Sequence, residues 1–109
     1  MVRLATGIWV QAYLMRLGAE HIPAYVLAHG DDTGGAVVVK LATLDGRAQL
    51  FQRMPDLDTG ATRWQAMAEG PEAEIDARLD RQRSSDPDLW IIEVESRAGR
   101  TLLDDPSLA

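Results

Sequence analysis

Residues 35–53, GAVVVKLATLDGRAQLFQR, constrain the fold more tightly than any other stretch of the chain. Two β-prone runs flank Asp45-Gly46, and an Asp-Gly pair between such runs is a strong hairpin signal. The reason is steric: a type I′ turn needs positive φ at both central positions, which Gly adopts freely and Asp more readily than most residues. A two-residue loop at 45–46 sets Leu44 opposite Arg47, Leu41 opposite Leu50 and Val39 opposite Gln52. Alternation then gathers Val37, Val39, Leu41, Ala48 and Leu50 on one face, and Val38, Lys40, Leu44, Arg47, Gln49, Phe51 and Arg53 on the other. The first face is dry, so another part of the chain has to cover it.

Taken in order, the chain supplies that cover. Thr6-Gly7 offers a helix start, because a Thr hydroxyl can accept from an unpaired N–H of the first turn. Val10, Tyr13, Leu14 and Leu17 follow at i, i+3, i+4 and i+7, the stripe of a helix laid on a core. Gly18 and Pro23 end this helix near Glu20. His21 just beyond fits a C-terminal cap in the left-handed region. Residues 24–28 read as a short strand, 29–34 as a loop of turn formers, 54–61 as a second loop and 62–68 as another strand.

Gly70-Pro71 opens a second helix, with proline where its missing N–H costs nothing. Glu72 and Glu74 at its start and Arg81 and Arg83 at its end complement the helix dipole, and Ile75 and Leu79 face inward. Residues 89–95, LWIIEVE, form a further strand with Trp90, Ile92 and Val94 on one side and Leu89, Ile91, Glu93 and Glu95 on the other. A turn at Ala98-Gly99 leads to a short edge strand over 100–103. The predicted fold is α+β: a mainly antiparallel sheet of about five strands with two helices packed on one face.

A chain of 109 residues, 46 % apolar and 26 % charged, suits a single domain over 1–109 with its own core. The absence of cysteine removes thiol catalysis, Fe–S clusters and thiolate zinc sites, and fits a cytoplasmic protein. The net charge of −6 is uneven: residues 54–95 hold eleven acids against four arginines, whereas residues 1–53 hold four acids against five bases. An acidic chain repels phosphate backbones, so no nucleic acid is expected as a partner. The apolar run after Arg3 meets Arg16, is too short to span a bilayer and lacks a leader's cleavage site, so no membrane partner is expected either.

The segments GIWVQAYLMRLGAEHIPAYVL, GGAVVVKLATLDGRAQLFQR and DPDLWIIEVESRAGRTLLDD resemble domain-of-unknown-function family 1491, a set of short bacterial proteins. The resemblance covers nearly the whole chain. It implies a small stand-alone cytoplasmic protein, and it implies no activity and no functional residues.

Four constellations carry chemical possibilities of their own. Asp-Thr-Gly occurs at Asp32-Thr33-Gly34 and Asp58-Thr59-Gly60. The second, within Leu57–Ala61, resembles the active-site loop of retroviral-type aspartic proteases, in which two carboxylates share a proton and activate water. Pro55 and Asp56 stand where such a protease has a hydrophobic strand, and the same three residues are good turn chemistry. His29, Asp31 and Asp32 form the one His/carboxylate cluster and are candidate metal ligands, but they lack a further ligand; local backbone bonding by the two carboxylates is the plainer reading. Trp9, Trp64 and Trp90 belong to a shared core rather than a stacking platform. Lys40, Arg47 and Arg53 form either an anion patch or cross-strand ion pairs with Glu93 and Glu95.

Val38, Leu44, Phe51, Leu89 and Ile91 fall on the sheet face away from the expected helices. They are the interface candidates for a homodimer, with folding back of Leu102-Leu103 as the other cover. The reading preferred from sequence is a small non-enzymatic, protein-binding or regulatory module with no cofactor, acting as a homodimer. Its acidic middle, 69–95, faces a basic protein partner. The alternative is a small hydrolase, working through Asp58 or through a metal at His29, Asp31 and Asp32.

Overall fold

A computed structural model describes residues 4–108. The chain forms helix α1 (Thr6–Ala19), strands β1 (Ala24–Ala28), β2 (Val37–Ala42), β3 (Arg47–Pro55) and β4 (Thr62–Pro71), helix α2 (Glu72–Ser85), strand β5 (Trp90–Glu95) and a 3₁₀ turn at Pro106–Leu108. The strands make one five-stranded sheet in the order β1-β5-β2-β3-β4. Its β2-β5 pair is parallel, and the other three pairs are antiparallel. The sheet is therefore mixed, not mainly antiparallel as expected. The cause is α2, which carries the chain from the end of β4 back across the sheet and delivers β5 alongside β2 in the same direction.

The hairpin reverses at the expected place with a different register. Leu41 pairs with Gln49, Lys40 with Leu50 and Val39 with Phe51, one residue away from the pairing that a two-residue loop imposes. The Thr43 N–H bonds to the Arg47 carbonyl at 3.3 Å, leaving a three-residue loop of Leu44, Asp45 and Gly46. Asp45 causes the change: its carboxylate accepts from the Thr43 hydroxyl and from the Arg47 N–H. These two bonds, the hydroxyl's first, hold the Asp45 carboxyl below the usual carboxylate range. Side-chain bonding to the backbone thus outcompetes the type I′ turn, and Leu44 takes a φ of 62° to close the loop.

An odd loop flips one strand relative to the other. Leu41 and Leu50, expected side by side, are both buried but belong to separate clusters on opposite faces. Trp9, Val10, Tyr13 and Leu17 of α1 pack with Val39, Leu41, Ile92 and Val94. Ile75 and Leu79 of α2 pack with Val38, Ala48, Leu50 and Ile91. The helices therefore cover opposite faces rather than one, as β2 and β5 register: nearly every residue of each is buried.

Local chemistry sets the ends of α1. Thr6 does not cap it; its hydroxyl donates instead to the Gly35 carbonyl at 2.9 Å, tying α1 to the segment before β2. At the other end His21 takes a φ of 58°. Its N–H bonds to Gly18 while the Ile22 N–H reaches the Leu17 carbonyl at 2.9 Å, a Schellman closure with Ile22 buried beneath it.

Residues 29–36 dock on the segment before β5. The Asp88 carbonyl accepts the Asp31 N–H at 3.0 Å, and a Cβ built on Gly30 or on Gly35 would lie 2.2 Å from that same oxygen. Gly30→Ala and Gly35→Ala should each cost about 2–3 kcal/mol by forcing backbone apart. Gly34→Ala, which meets nothing within 4 Å, should be close to neutral, and urea titrations of the three variants measure the difference.

Residues 100–103, expected as an edge strand, instead start a segment that runs back along α1. Thr101 accepts from the Tyr13 hydroxyl at 2.8 Å and Leu108 from the Trp9 indole N–H at 3.0 Å. Leu103 and Leu108 are buried beside them. Trp9 also stacks on Trp64 with ring centroids 5.3 Å apart, and Trp90 joins the same core.

Candidate functional site

Lys40 sits in the apolar run of β2, and only 2 % of it is exposed. Its ammonium lies 2.8 Å from Glu72, 2.7 Å from Asp76 and 2.7 Å from Glu93. Two of these carboxylates come from the first turns of α2, four residues apart on one helix face; the third comes from β5. The pairing with Glu93 follows the cross-strand ion pair expected from sequence. Three acceptors match the three N–H groups of an ammonium. Burial works against the charge, but the bonds to Asp76, Glu72 and Glu93 outweigh it and raise the Lys40 pKa well above its ordinary value. A lysine held charged with every proton engaged is neither a base nor a nucleophile. Its role is to clamp α2 onto the sheet.

The clamp leaves a surplus of negative charge. One cation meets three carboxylates, and Asp80 continues the α2 row one turn further on. Between α2 and β1 lies an open groove of about 390 Å³, lined by the apolar Leu27, Leu79 and Ile91 and by Asp76, Asp80, Glu93 and Arg83 beside Lys40. Beside it the Glu95 carboxylate faces the Tyr25 hydroxyl and raises the tyrosine's pKa. An apolar lining set among carboxylates suits a long cationic side chain, whose methylenes and charged end ask for both.

The residues singled out from sequence lie elsewhere. Asp58 is exposed on the β3-β4 loop, where its N–H donates to the Asp56 carboxylate at 2.8 Å. The Asp31 carboxylate accepts from the N–H groups of Thr33 and Gly34 at 3.2 and 2.8 Å, the local backbone bonding weighed above. His29 and Asp32 approach to 3.6 Å with both side chains largely in solvent, and the His29 ring rests on Trp90 at 4.0 Å. Among the described residues no group of three His, Cys, Asp or Glu side chains is placed to hold a metal ion.

The interface candidates do not share a surface. Val38, Leu89 and Ile91 are buried in the cluster under α2, Phe51 is half-buried against the α1 core, and Leu44 lies exposed in the hairpin loop. The face expected to be open is the one that α2 occupies, because the helices take opposite sides. The sequence points to Lys40 as a cross-strand ion-pair residue but not to its two further partners on α2, Glu72 and Asp76. Lys40 is the chain's sole lysine among ten arginines, set within VVVKLA. An ammonium's compact charge fits a three-carboxylate pocket in which a guanidinium fork does not.

A mixed five-stranded sheet with a helix on each face and a buried lysine clamp defines a small α+β protein. The chain belongs to the family described as protein of unknown function, DUF1491, whose model matches residues 4–104. Its fold is shared with the crystal structure of a DUF1491 family protein from Caulobacter crescentus CB15, at 37 % identity and a TM-score of 0.82, covering 95 % of this chain and 98 % of that one. An NMR structure of a DUF1491 family protein from the same organism is 35 % identical with a TM-score of 0.80 and covers 97 % of both chains. The solution structure of protein Atu0922 from A. tumefaciens is 32 % identical with a TM-score of 0.74, covering 94 % of this chain and 93 % of that one. No curated protein matches the chain. Among the described residues no helix is long and apolar enough to cross a membrane.

Proposed function

We propose that this chain is a non-enzymatic, cytoplasmic protein-binding module whose groove between α2 and β1 receives a basic segment of a partner protein. The observation that carries the reading is the charge imbalance around apolar side chains: Asp76, Asp80 and Glu93 outnumber Arg83 in a groove where Lys40 is already saturated. Such a surface steers a cationic partner and selects against anionic ones. The groups a hydrolase would use support it less. Asp58 stands on an exposed loop, and the Asp31 carboxylate is engaged by its own turn.

An NMR titration with octalysine tests the reading. Shifts should concentrate at Leu27, Asp80, Glu93 and Glu95 and fade as salt rises. The double variant Asp80→Asn/Glu95→Gln, which leaves all three partners of Lys40 in place, should weaken binding by about three- to tenfold. Shifts scattered over the whole surface, or none at about 50 mM salt, would end the proposal.

A further inference from the structure

β1 closes the sheet on one side, and among the described residues it pairs with β5 alone. The Glu95 N–H donates to the Pro23 carbonyl at 3.0 Å. In an antiparallel pair, main-chain groups point alternately toward and away from the neighbouring strand. Residues 23 and 25 therefore face β5, and the N–H and C=O groups of Ala24 and Val26 face outward. Tyr25, Val26 and Leu27 are 50 %, 42 % and 43 % exposed. Natural sheet edges are usually blunted by lysine, proline or inward-pointing charge. This edge has a bulge near Leu27, yet it presents three successive apolar side chains and no charge.

We infer that β1 is a docking edge, and that an extended basic segment joins the sheet there as a sixth strand. The inference rests on the groove reading and supplies how the partner is held. A strand added to an edge gains affinity from main-chain bonds and specificity from alternate side chains. Here the side chains sent to the α2 side lie beside Tyr25 and Leu27, within reach of the carboxylates of Asp80, Glu93 and Glu95. Those sent to the α1 side cover Val26. The matching partner alternates basic with β-branched residues.

Charge decides between this occupant and a second copy. Two β1 strands paired about a two-fold axis would also close the edge. They would set two acidic grooves on one continuous sheet, in a chain of net charge −6. A basic strand brings the opposite sign to the same place.

The test uses the octapeptide of four Lys-Val repeats and the same peptide N-methylated at its valines. With the peptide antiparallel to β1, methylation removes the valine donors that would meet the Ala24 and Val26 carbonyls, and it leaves the charge unchanged. The unmodified peptide should bind, and the methylated one should bind about tenfold more weakly or worse. In the complex, amide exchange at Ala24 and Val26 should slow by about tenfold or more, with Tyr25 unchanged. Val26→Pro takes away an outward N–H without touching the bonds to β5. It should keep the native circular dichroism spectrum and lose the peptide.

Equal binding of the two peptides would overturn the docking edge and leave the groove reading standing. Binding of neither peptide, while octalysine still perturbs the groove, would do the same; no response to any of the three would remove both. Protection of Ala24 and Val26 in peptide-free protein, with a doubled mass in sedimentation, would assign the edge to a second copy instead.

Discussion

Lys40→Met should lower the stability of the protein by about 3 kcal/mol, because removing one member of a buried ion cluster strands the others. Methionine replaces most of the buried stem, so lost packing contributes little. The cost arises at the carboxylates. Glu72 and Asp76 lie toward solvent and can turn into it, whereas the Glu93 side chain is 19 % exposed and fixed on β5. Adding Glu93→Gln to Lys40→Met should therefore restore a substantial part of the loss, and urea titrations of the three variants measure it directly. Lys40→Arg should also destabilise, since a planar fork cannot offer three N–H groups to three converging acceptors.

The pH dependence follows from the raised Lys40 pKa. A cation bound more tightly to its proton in the folded state stabilises fully below its unfolded value and loses that contribution as pH climbs above it. The gap between wild type and Lys40→Met should stay flat through neutral pH and shrink only beyond the ordinary lysine value of 10.5. A gap that closed between pH 7 and 9 would disprove the clamp.

Deleting residues 101–109 should unfold the protein at 37 °C. Leu103 and Leu108 are buried against α1, and each leucine contributes about 2 kcal/mol. The Trp9 indole N–H and the Tyr13 hydroxyl would lose their carbonyl acceptors, at about 1–3 kcal/mol each if nothing replaces them. Together these approach the whole stability of an ordinary domain, about 5–15 kcal/mol. Leu108→Ala is the milder form and should cost about 2–3 kcal/mol by thermal melting. Acid acts on the same segment through Asp105. Its carboxyl is held down at about 2 by the Ser107 N–H, then by Arg16 and the Ser107 hydroxyl. A depressed carboxylate stabilises above its unfolded pKa and loses that contribution as pH falls through the folded one. Asp105→Asn should therefore remove the part of the acid sensitivity that lies between about pH 4 and 2.

Much of this architecture was legible in the residues. The α1 stripe, the αL residue at His21, the reversal at 45–46 and the strand at 90–95 all follow from local chemistry. The family, too, is readable from the three segments quoted. The register failed at one carboxylate. Tolerance of positive φ at Asp45 predicts a two-residue loop; the bonds its side chain makes to Thr43 and Arg47 close a three-residue one. The parity of that loop decides which leucines meet. The helix layers differ for a related reason: alternation predicts one dry face, whereas GAVVVKLA and LWIIEV are nearly continuous apolar runs, the mark of strands covered on both sides.

The groove was legible only in part. The acidic character of 69–95 is visible in composition, but its geometry depends on Lys40 drawing Glu72, Asp76 and Glu93 to one point from two elements. The i, i+4 spacing puts Glu72 and Asp76 on one helix face, but no spacing rule connects them to Lys40 or Glu93. The open edge of β1 was hidden for the same reason, because strand order is not written in any single strand.

The burial of Lys40 has one practical consequence. Every other side-chain cation is a guanidinium, so acetylating and ester reagents find no ε-amine on the folded surface. Uptake of label at position 40 would then count molecules in which α2 has lifted from the sheet, an optical clock for a motion no bulk melting curve resolves.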